Sequence, residues 1–235
     1  QGTPILDLAR PEELSESGQR RLLDTLREFN DDHAARLGND SKLAARVASY
    51  ELAFKMQASA PEAVDFSQEP QHIQELYGLN DKRCGTVARQ CLLARRLVER
   101  GVRFVQLYHR GWDNHGSLPT NIPKQCHDVD QPQAALIRDL KQRGMLDDTL
   151  IIWGGEFGRT PQMGTQDSTD GRNHWPNIMS MCLAGGGYRH GQVIGASEPD
   201  GGIIRERPVT PGDLAATIFH HFGVPLDVQY LDNRG

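Results

Sequence analysis

A short apolar run that ends in two glycines and a carboxylate constrains this chain more than any other feature. In Leu146-Asp-Asp-Thr-Leu-Ile-Ile-Trp-Gly-Gly-Glu156-Phe-Gly-Arg159-Thr160, residues Leu150 to Trp153 are continuously apolar, which is the pattern of a strand covered on both faces. Gly154 and Gly155 let the backbone leave that strand tightly, and Glu156 and Arg159 follow at once. Ligands of open α/β sheets bind outside the carboxyl ends of strands, so Glu156 stands where such folds place chemistry. A solvated loop carboxylate is the plainer alternative for any single Glu.

Two further loops carry matching side chains. Val102-Arg-Phe-Val-Gln-Leu-Tyr108 alternates like a strand and runs into His109-Arg110-Gly111-Trp112-Asp113-Asn114-His115-Gly116. Asp113 and His115 offer a carboxylate oxygen and an imidazole nitrogen two residues apart, ligands suited to zinc, manganese or iron. Asp170-Gly171-Arg172-Asn173-His174-Trp175-Pro176 places a third imidazole before an aromatic and a proline that fix the chain direction. Each His alone reads as a surface or hydrogen-bonded structural residue. Three such loops within one stretch of chain point to a metal site.

The rest of the pattern supplies a scaffold. Helices are expected over Glu16–Arg36, Lys42–Ala58, Pro70–Tyr77 and Val87–Arg100, with Leu43, Val47, Tyr50 and Phe54 as a packing stripe and Gly101 as the stop. Beyond Gly101 the order is strand 102–108, a loop through Pro123, helix Gln131–Arg143, strand 149–153, a polar loop, strand Ile178–Leu183, a turn at Ala184-Gly-Gly-Gly187, and a capped helix over Thr210–His221. Residues 1–100 thus read as a mainly helical segment, and 101–235 as an α/β domain. Segment 102–153 reads as a βαβ unit, whose two strands would be adjacent and parallel with a right-handed crossover. His220 and His221 read as structural or surface residues.

Composition excludes more than it selects. A net charge of -5 over 235 residues, with the basic residues scattered, gives no footprint for nucleic acid. Pairs such as Arg20-Arg21 and Arg95-Arg96 fall in helical patterns and read as solvated or ion-paired faces. No apolar run of about eighteen residues is present, so no membrane span is expected. Cys84, Cys91, Cys126 and Cys182 lack zinc-site spacing. Cys91 and Cys182 fall on apolar faces and read as buried, inert thiols. A Cys84–Cys126 pairing stays open for an exported protein. Gln1-Gly-Thr-Pro and Asp232-Asn-Arg-Gly235 read as internal ends of a longer chain.

These motifs, in this order, carry a family resemblance. Leu146-Asp-Asp-Thr-Leu-Ile-Ile-Trp with its acidic loop resembles the metal-bearing strand of the alkaline phosphatase and sulfatase superfamily, Asp113, His115 and His174 resemble its Asp and His ligands, and Asp213 to Pro225 is similar to its terminal helix. More closely, Tyr50-Glu-Leu-Ala-Phe-Lys-Met, Cys91-Leu-Leu-Ala-Arg-Arg-Leu, Trp112-Asp-Asn-His-Gly and Gly155-Glu-Phe-Gly-Arg-Thr resemble the bacterial family known as domain of unknown function 1501. That likeness covers nearly the whole chain.

The resemblance implies an alkaline phosphatase-like three-layer α/β/α sandwich with a mostly parallel sheet, and an exported, periplasmic or extracellular location. It implies a metal-dependent hydrolase of phosphate or sulfate esters, with Asp113, His115, Glu156 and His174 holding a divalent ion, zinc first, with manganese or calcium as alternatives. Arg110 and Arg159 would grip the anionic ester, the substrate including sulfated glycans; pairing of Arg159 with Asp167 or Asp170 is the structural alternative. Where the superfamily has Asp-His, this chain has Glu156-Phe157, so one imidazole of a two-metal site is missing. The superfamily nucleophile, a Ser, Thr or formylglycine on an earlier strand, has no counterpart elbow in residues 1–100 and is expected upstream of Gln1. Near the expected cleft the hydroxyls are Thr160, Thr165, Ser168 and Thr169. A binding module for sulfated or phosphorylated glycans on the same fold is the alternative.

Overall fold

The structure, a computed structural model, describes residues 10–37, 41–164 and 167–229. Both expected internal ends and Thr165 lie outside the described residues. The chain divides into two compact units, Gln1–Glu69 and Pro70–Gly235. The first holds α1 (Glu16–Leu37) and α2 (Ser41–Val64). Leu43 and Val47 of α2 line one crevice with Leu23 and Leu26 of α1, as the apolar stripe predicts, while Tyr50 is half exposed. A charge fork ties the two helices. Arg20 donates from both terminal nitrogens to Glu51, at 2.8 and 2.7 Å, its guanidinium lies 5.1 Å from the Phe54 ring centre, and Arg27 adds a third bond to Glu51. These arginines hold the Glu51 carboxyl down to about 2, the Arg20 bond being the largest cause.

The second unit opens with three helices, α3 (Gln71–Tyr77), α4 (Gly85–Glu99) and α5 (Leu118–Gln142), and its core lies among them. Ile73 and Tyr77, then Val87, Ala88, Cys91 and Leu92, then Val129, Ala135 and Leu140 are buried at helical spacing. Gly78 ends α3 in the left-handed conformation, φ 79°, and donates back to Gln74 and Glu75. A polar network crosses this core. Asp139 accepts from Tyr77 Oη at 3.0 Å through Oδ2 and from Arg143 Nε at 2.8 Å through Oδ1, and Arg95 Nε lies 3.1 Å from Oδ2. Arg95 is therefore buried and ion-paired with Asp139 and Glu99 rather than solvated. Helix α5 starts thirteen residues before the sequence-based boundary at Gln131 and carries Pro123 and Pro132 in its interior. An interior proline costs about 3 kcal/mol. The packed face of Val129, Pro132, Ala135 and Leu140 against α4 overrides the loop signal.

The remainder is a set of short ladders and one helix. The strands are β1 (Leu150–Gly154), β2 (Gly158–Arg159), β3 (His174–Trp175), β4 (Met181–Gly185), β5 (Ala196–Ser197) and β6 (Ile204–Glu206), followed by α6 (Pro211–His221). They pair as β1 with β4, β2 with β3 and β5 with β6, all antiparallel. The fold is thus mixed α/β, but the expected parallel pairing is corrected: β1 lies beside β4, with Leu150 opposite Gly185 and Gly154 opposite Met181. Segment 102–108 forms no strand. Alternation alone does not make one, because a strand needs a ladder partner, and Phe104 and Tyr108 stand exposed here. No βαβ unit forms among the described residues. Gly185, Gly186 and Gly187 all take positive φ, so the glycine run is a turn, closed by the Gly186 N–H on Leu146 and Thr149. Helix α6 starts at a capping box between Thr210 and Asp213, as its sequence predicts. Among the described residues no helix is long and apolar enough to cross a membrane.

The thiols follow burial. Cys91 is buried, which pushes it up to about 12, and Cys84 is buried against the Gly78 carbonyl, which also raises it. All four are free, so Cys84 and Cys126 are not joined, and Cys182 is exposed rather than buried because, among the described residues, β4 pairs with β1 alone.

Candidate metal centre

Backbone contacts between two loops build the site before any side chain acts. Arg172 N–H donates to Asn114 O at 3.0 Å, Leu118 N–H to Asp170 O at 3.2 Å, and Ser117 N–H to Asp170 Oδ1 at 2.9 Å. Gly171 makes this approach feasible, since a Cβ there would sit 1.8 Å from the His115 carbonyl oxygen. Ser168 closes the second loop by accepting from the Gly171 and Asp170 N–H groups at 2.9 and 3.2 Å. The two segments that carry Asp113, His115 and His174 are thereby pinned side by side.

The strand exit supplies the third wall. The chain leaves β1, passes Glu156 and Phe157, and enters the β2–β3 ribbon, in which Arg159 is directly opposite His174. Directly opposed residues share a face. Both side chains reach Asp113: His174 Nε2 lies 2.9 Å from Asp113 Oδ1, and Arg159 Nη1 donates to the same oxygen. His115 Nε2 lies 3.1 Å from that oxygen as well. The His174 bond, then the Arg159 bond, hold the Asp113 carboxyl down to about 2, so it is ionised at neutral pH.

The ligand atoms of Asp113, His115 and His174 all lie within 4.8 Å of one another. Arms of about 2.0–2.1 Å at the tetrahedral angle put neighbouring ligands about 3.3 Å apart. The observed 2.9 and 3.1 Å differ from that by only a few tenths of an ångström. Two imidazoles and an ionised carboxylate are the donor types zinc takes, so the residues fit a divalent ion. His115 is oriented from behind: its Nδ1 lies 2.8 Å from Asn173 Oδ1. Phe157 packs on the His174 ring with centroids 4.6 Å apart.

The other expected site residues are placed differently. Glu156 stands outside the cluster, largely exposed, with Oε1 4.0 Å from Arg159 Nη2. Arg159 bonds Asp113, whereas Asp170 is taken up by Ser117 and Ser168. Arg110 is exposed on the segment before Gly111. Thr160 Oγ1 donates to Gln162 O and accepts from Asn173 N–H, so this hydroxyl and that of Ser168 are committed to loop geometry. Asn173 and Gly171 are the residues that sequence reasoning missed. Their only signal is adjacency to His174, because Asn and Gly in a loop are commonplace turn residues.

Residues 1–235 match the family model described as Protein of unknown function (DUF1501). The chain belongs to that family. No curated protein and no solved structure matches it. In this DUF1501 chain the ligand cluster draws on the segment before α5, and on β3, while Arg159 of β2 completes the contact at Asp113.

Proposed function

We propose that this DUF1501 protein is a metal-dependent hydrolase of phosphate or sulfate esters. The observation that carries the reading is the convergence of Asp113, His115 and His174, with Arg159 on the same carboxylate. With neutral imidazoles, Asp113 and Glu156 bring two negative charges and Arg159 one positive; a bound divalent ion makes the group net positive. An anionic ester is the ligand that balances it. Asp113, His115 and His174 would hold the ion, zinc by preference of the donor set, and Glu156 flanks it from the β1 exit. A bound ion supplies charge neutralisation at the transferring group and its leaving oxygen. Arg159 carries a planar donor fork suited to ester oxygens, and Arg110 is the second cation of the neighbouring loop. The order of the motifs along the chain, similar to alkaline phosphatases and sulfatases, supports both this chemistry and an exported location.

A second reading is a non-catalytic module that binds sulfated or phosphorylated glycans. It is favoured by one feature: the Thr160 and Ser168 hydroxyls beside the cluster are engaged in loop bonds and neither is poised as a nucleophile. The two readings separate in one experiment. Zinc content and turnover on aryl phosphate and aryl sulfate esters are measured for the protein and for Asp113→Ala. Metal-dependent turnover lost in the variant supports the hydrolase; zinc binding with retention on a sulfated-glycan matrix and no turnover supports the module.

A further inference from the structure

The bond between His115 and Asn173 has a role that loop closure does not explain. The two loops are already held by the Arg172–Asn114, Leu118–Asp170 and Ser117–Asp170 bonds, all at 3.2 Å or less. Asn173 is held independently of His115: its N–H donates to Thr160 Oγ1 at 3.1 Å and its carbonyl accepts from Thr160 N at 2.9 Å. Its backbone is therefore set by the entry to the β2–β3 ribbon. An amide oxygen only accepts, and so does the Asp113 carboxylate 3.1 Å from Nε2; an ion held at Nε2 requires the ring proton on Nδ1, where Asn173 Oδ1 accepts it. In the other tautomer Nε2 carries the proton and cannot ligate an ion.

We propose that Asn173 is a positioning residue that accepts from His115 Nδ1–H when Nε2 holds an ion, and so sets the metal affinity of the Asp113–His115–His174 cluster. The inference rests on the metal reading of that cluster. Asn173 precedes the ligand His174 directly, so one turn of chain presents one imidazole and orients the other. An outer partner of this type is worth about 10- to 100-fold in metal affinity.

The test uses the 235-residue chain and two variants, Asn173→Leu, which keeps size and backbone bonds but removes the acceptor, and Asn173→Asp, which keeps an acceptor. Zinc binding is followed by calorimetry, with thermal melting as a check on folding, and nitrogen-15 NMR of the imidazoles with zinc bound reports which nitrogen of His115 ligates. The expected result is a His115 that ligates through Nε2 with a hydrogen-bonded Nδ1–H in the unaltered chain and in Asn173→Asp, and zinc binding weaker by about 10- to 100-fold in Asn173→Leu alone. Zinc bound as tightly by Asn173→Leu as by the unaltered chain overturns the inference and leaves the metal reading standing. An unaltered chain that binds no zinc removes both. Should Asn173→Leu fail to fold, a zinc-bound unaltered chain in which His115 ligates through Nδ1, or zinc affinity lost in Asn173→Asp, overturns the inference by itself.

Discussion

Asp113 Oδ1 and His174 Nε2 lie 2.9 Å apart although 61 residues separate them in the sequence. The helix α5, the strands β1 and β2 and the polar loop all belong to the path between the two. Their meeting is enforced at both ends, by backbone bonds between the loops and by the cross-strand pairing of His174 with Arg159. A cluster so constrained is largely pre-formed, which lowers the ordering that a ligand must impose.

The three clustered residues and Glu156 are expected to differ in metal binding. Asp113→Asn removes the ligand charge and His174→Ala a converging ligand atom, and zinc affinity should fall by more than the roughly 10- to 100-fold typical of an outer partner. Glu156→Gln should lose much less, because its carboxylate faces Arg159 rather than the cluster. Calorimetric zinc titration of the variants checks the order; Glu156→Gln as damaging as Asp113→Asn would contradict it.

Gly171→Ala is expected to open the site without melting the helical core. The new Cβ would collide with the His115 carbonyl, which is backbone and unable to turn aside. Zinc binding should be lost, while amide exchange of α4 and α5 stays as slow as in the unaltered chain. Unchanged zinc binding would show that the two loops are not held in this contact.

The first unit should lose stability in acid. Glu51 is depressed in the folded state from 4.5 to about 2, so its bonds with Arg20 and Arg27 contribute fully above pH 4.5. That contribution is lost as pH falls towards about 2, as the carboxylate becomes protonated. Circular dichroism melts across this window should show a steeper decline for the unaltered chain than for Glu51→Gln. Equal slopes would mean that the fork in solution is too loose to matter.

The buried Asp139 is expected to be the most sensitive polar position of the second unit. Asp139→Ala takes the buried carboxylate from Arg95 and leaves Glu99 as its remaining ion pair, and losing one partner of a buried pair costs about 3–5 kcal/mol. Tyr77→Phe removes a single hydrogen bond and leaves both arginines on Asp139, for about 1 kcal/mol. Urea denaturation measures both, and a smaller loss for Asp139→Ala than for Tyr77→Phe would sink the ranking.

Thiol labelling should rank the cysteines by burial. Exposed Cys182 reacts first with a disulfide reagent, Cys126 follows, and Cys91 reacts only on unfolding because its thiol is pushed up to about 12. Denatured, unreduced protein should take up label at all four positions. A mass that shows Cys84 joined to Cys126 would contradict the free thiols.

The sequence by itself determined what depends on neighbours along the chain. Helices α1, α3 and α4 were legible because apolar periodicity and stop signals such as Gly78 and Gly101 act within a few residues. The cap of α6 at Thr210 and the turn at Gly185–Gly187 were legible for the same reason. So were the ligand types of Asp113, His115 and His174, since donor chemistry belongs to the residue. Pairing was decided elsewhere. The run Leu150–Trp153 specifies a strand but not its neighbour, and β4 rather than 102–108 took that place. The prolines of α5 marked a loop until packing against α4 outweighed them. Membership of the cluster was likewise a tertiary outcome. Arg159 reaches Asp113 because strand register puts it opposite His174, and Asn173 orients His115 because Gly171 lets two backbones touch. Hydrogen-bond register and close backbone approach join residues far apart in the chain, and no local pattern encodes which residues will meet.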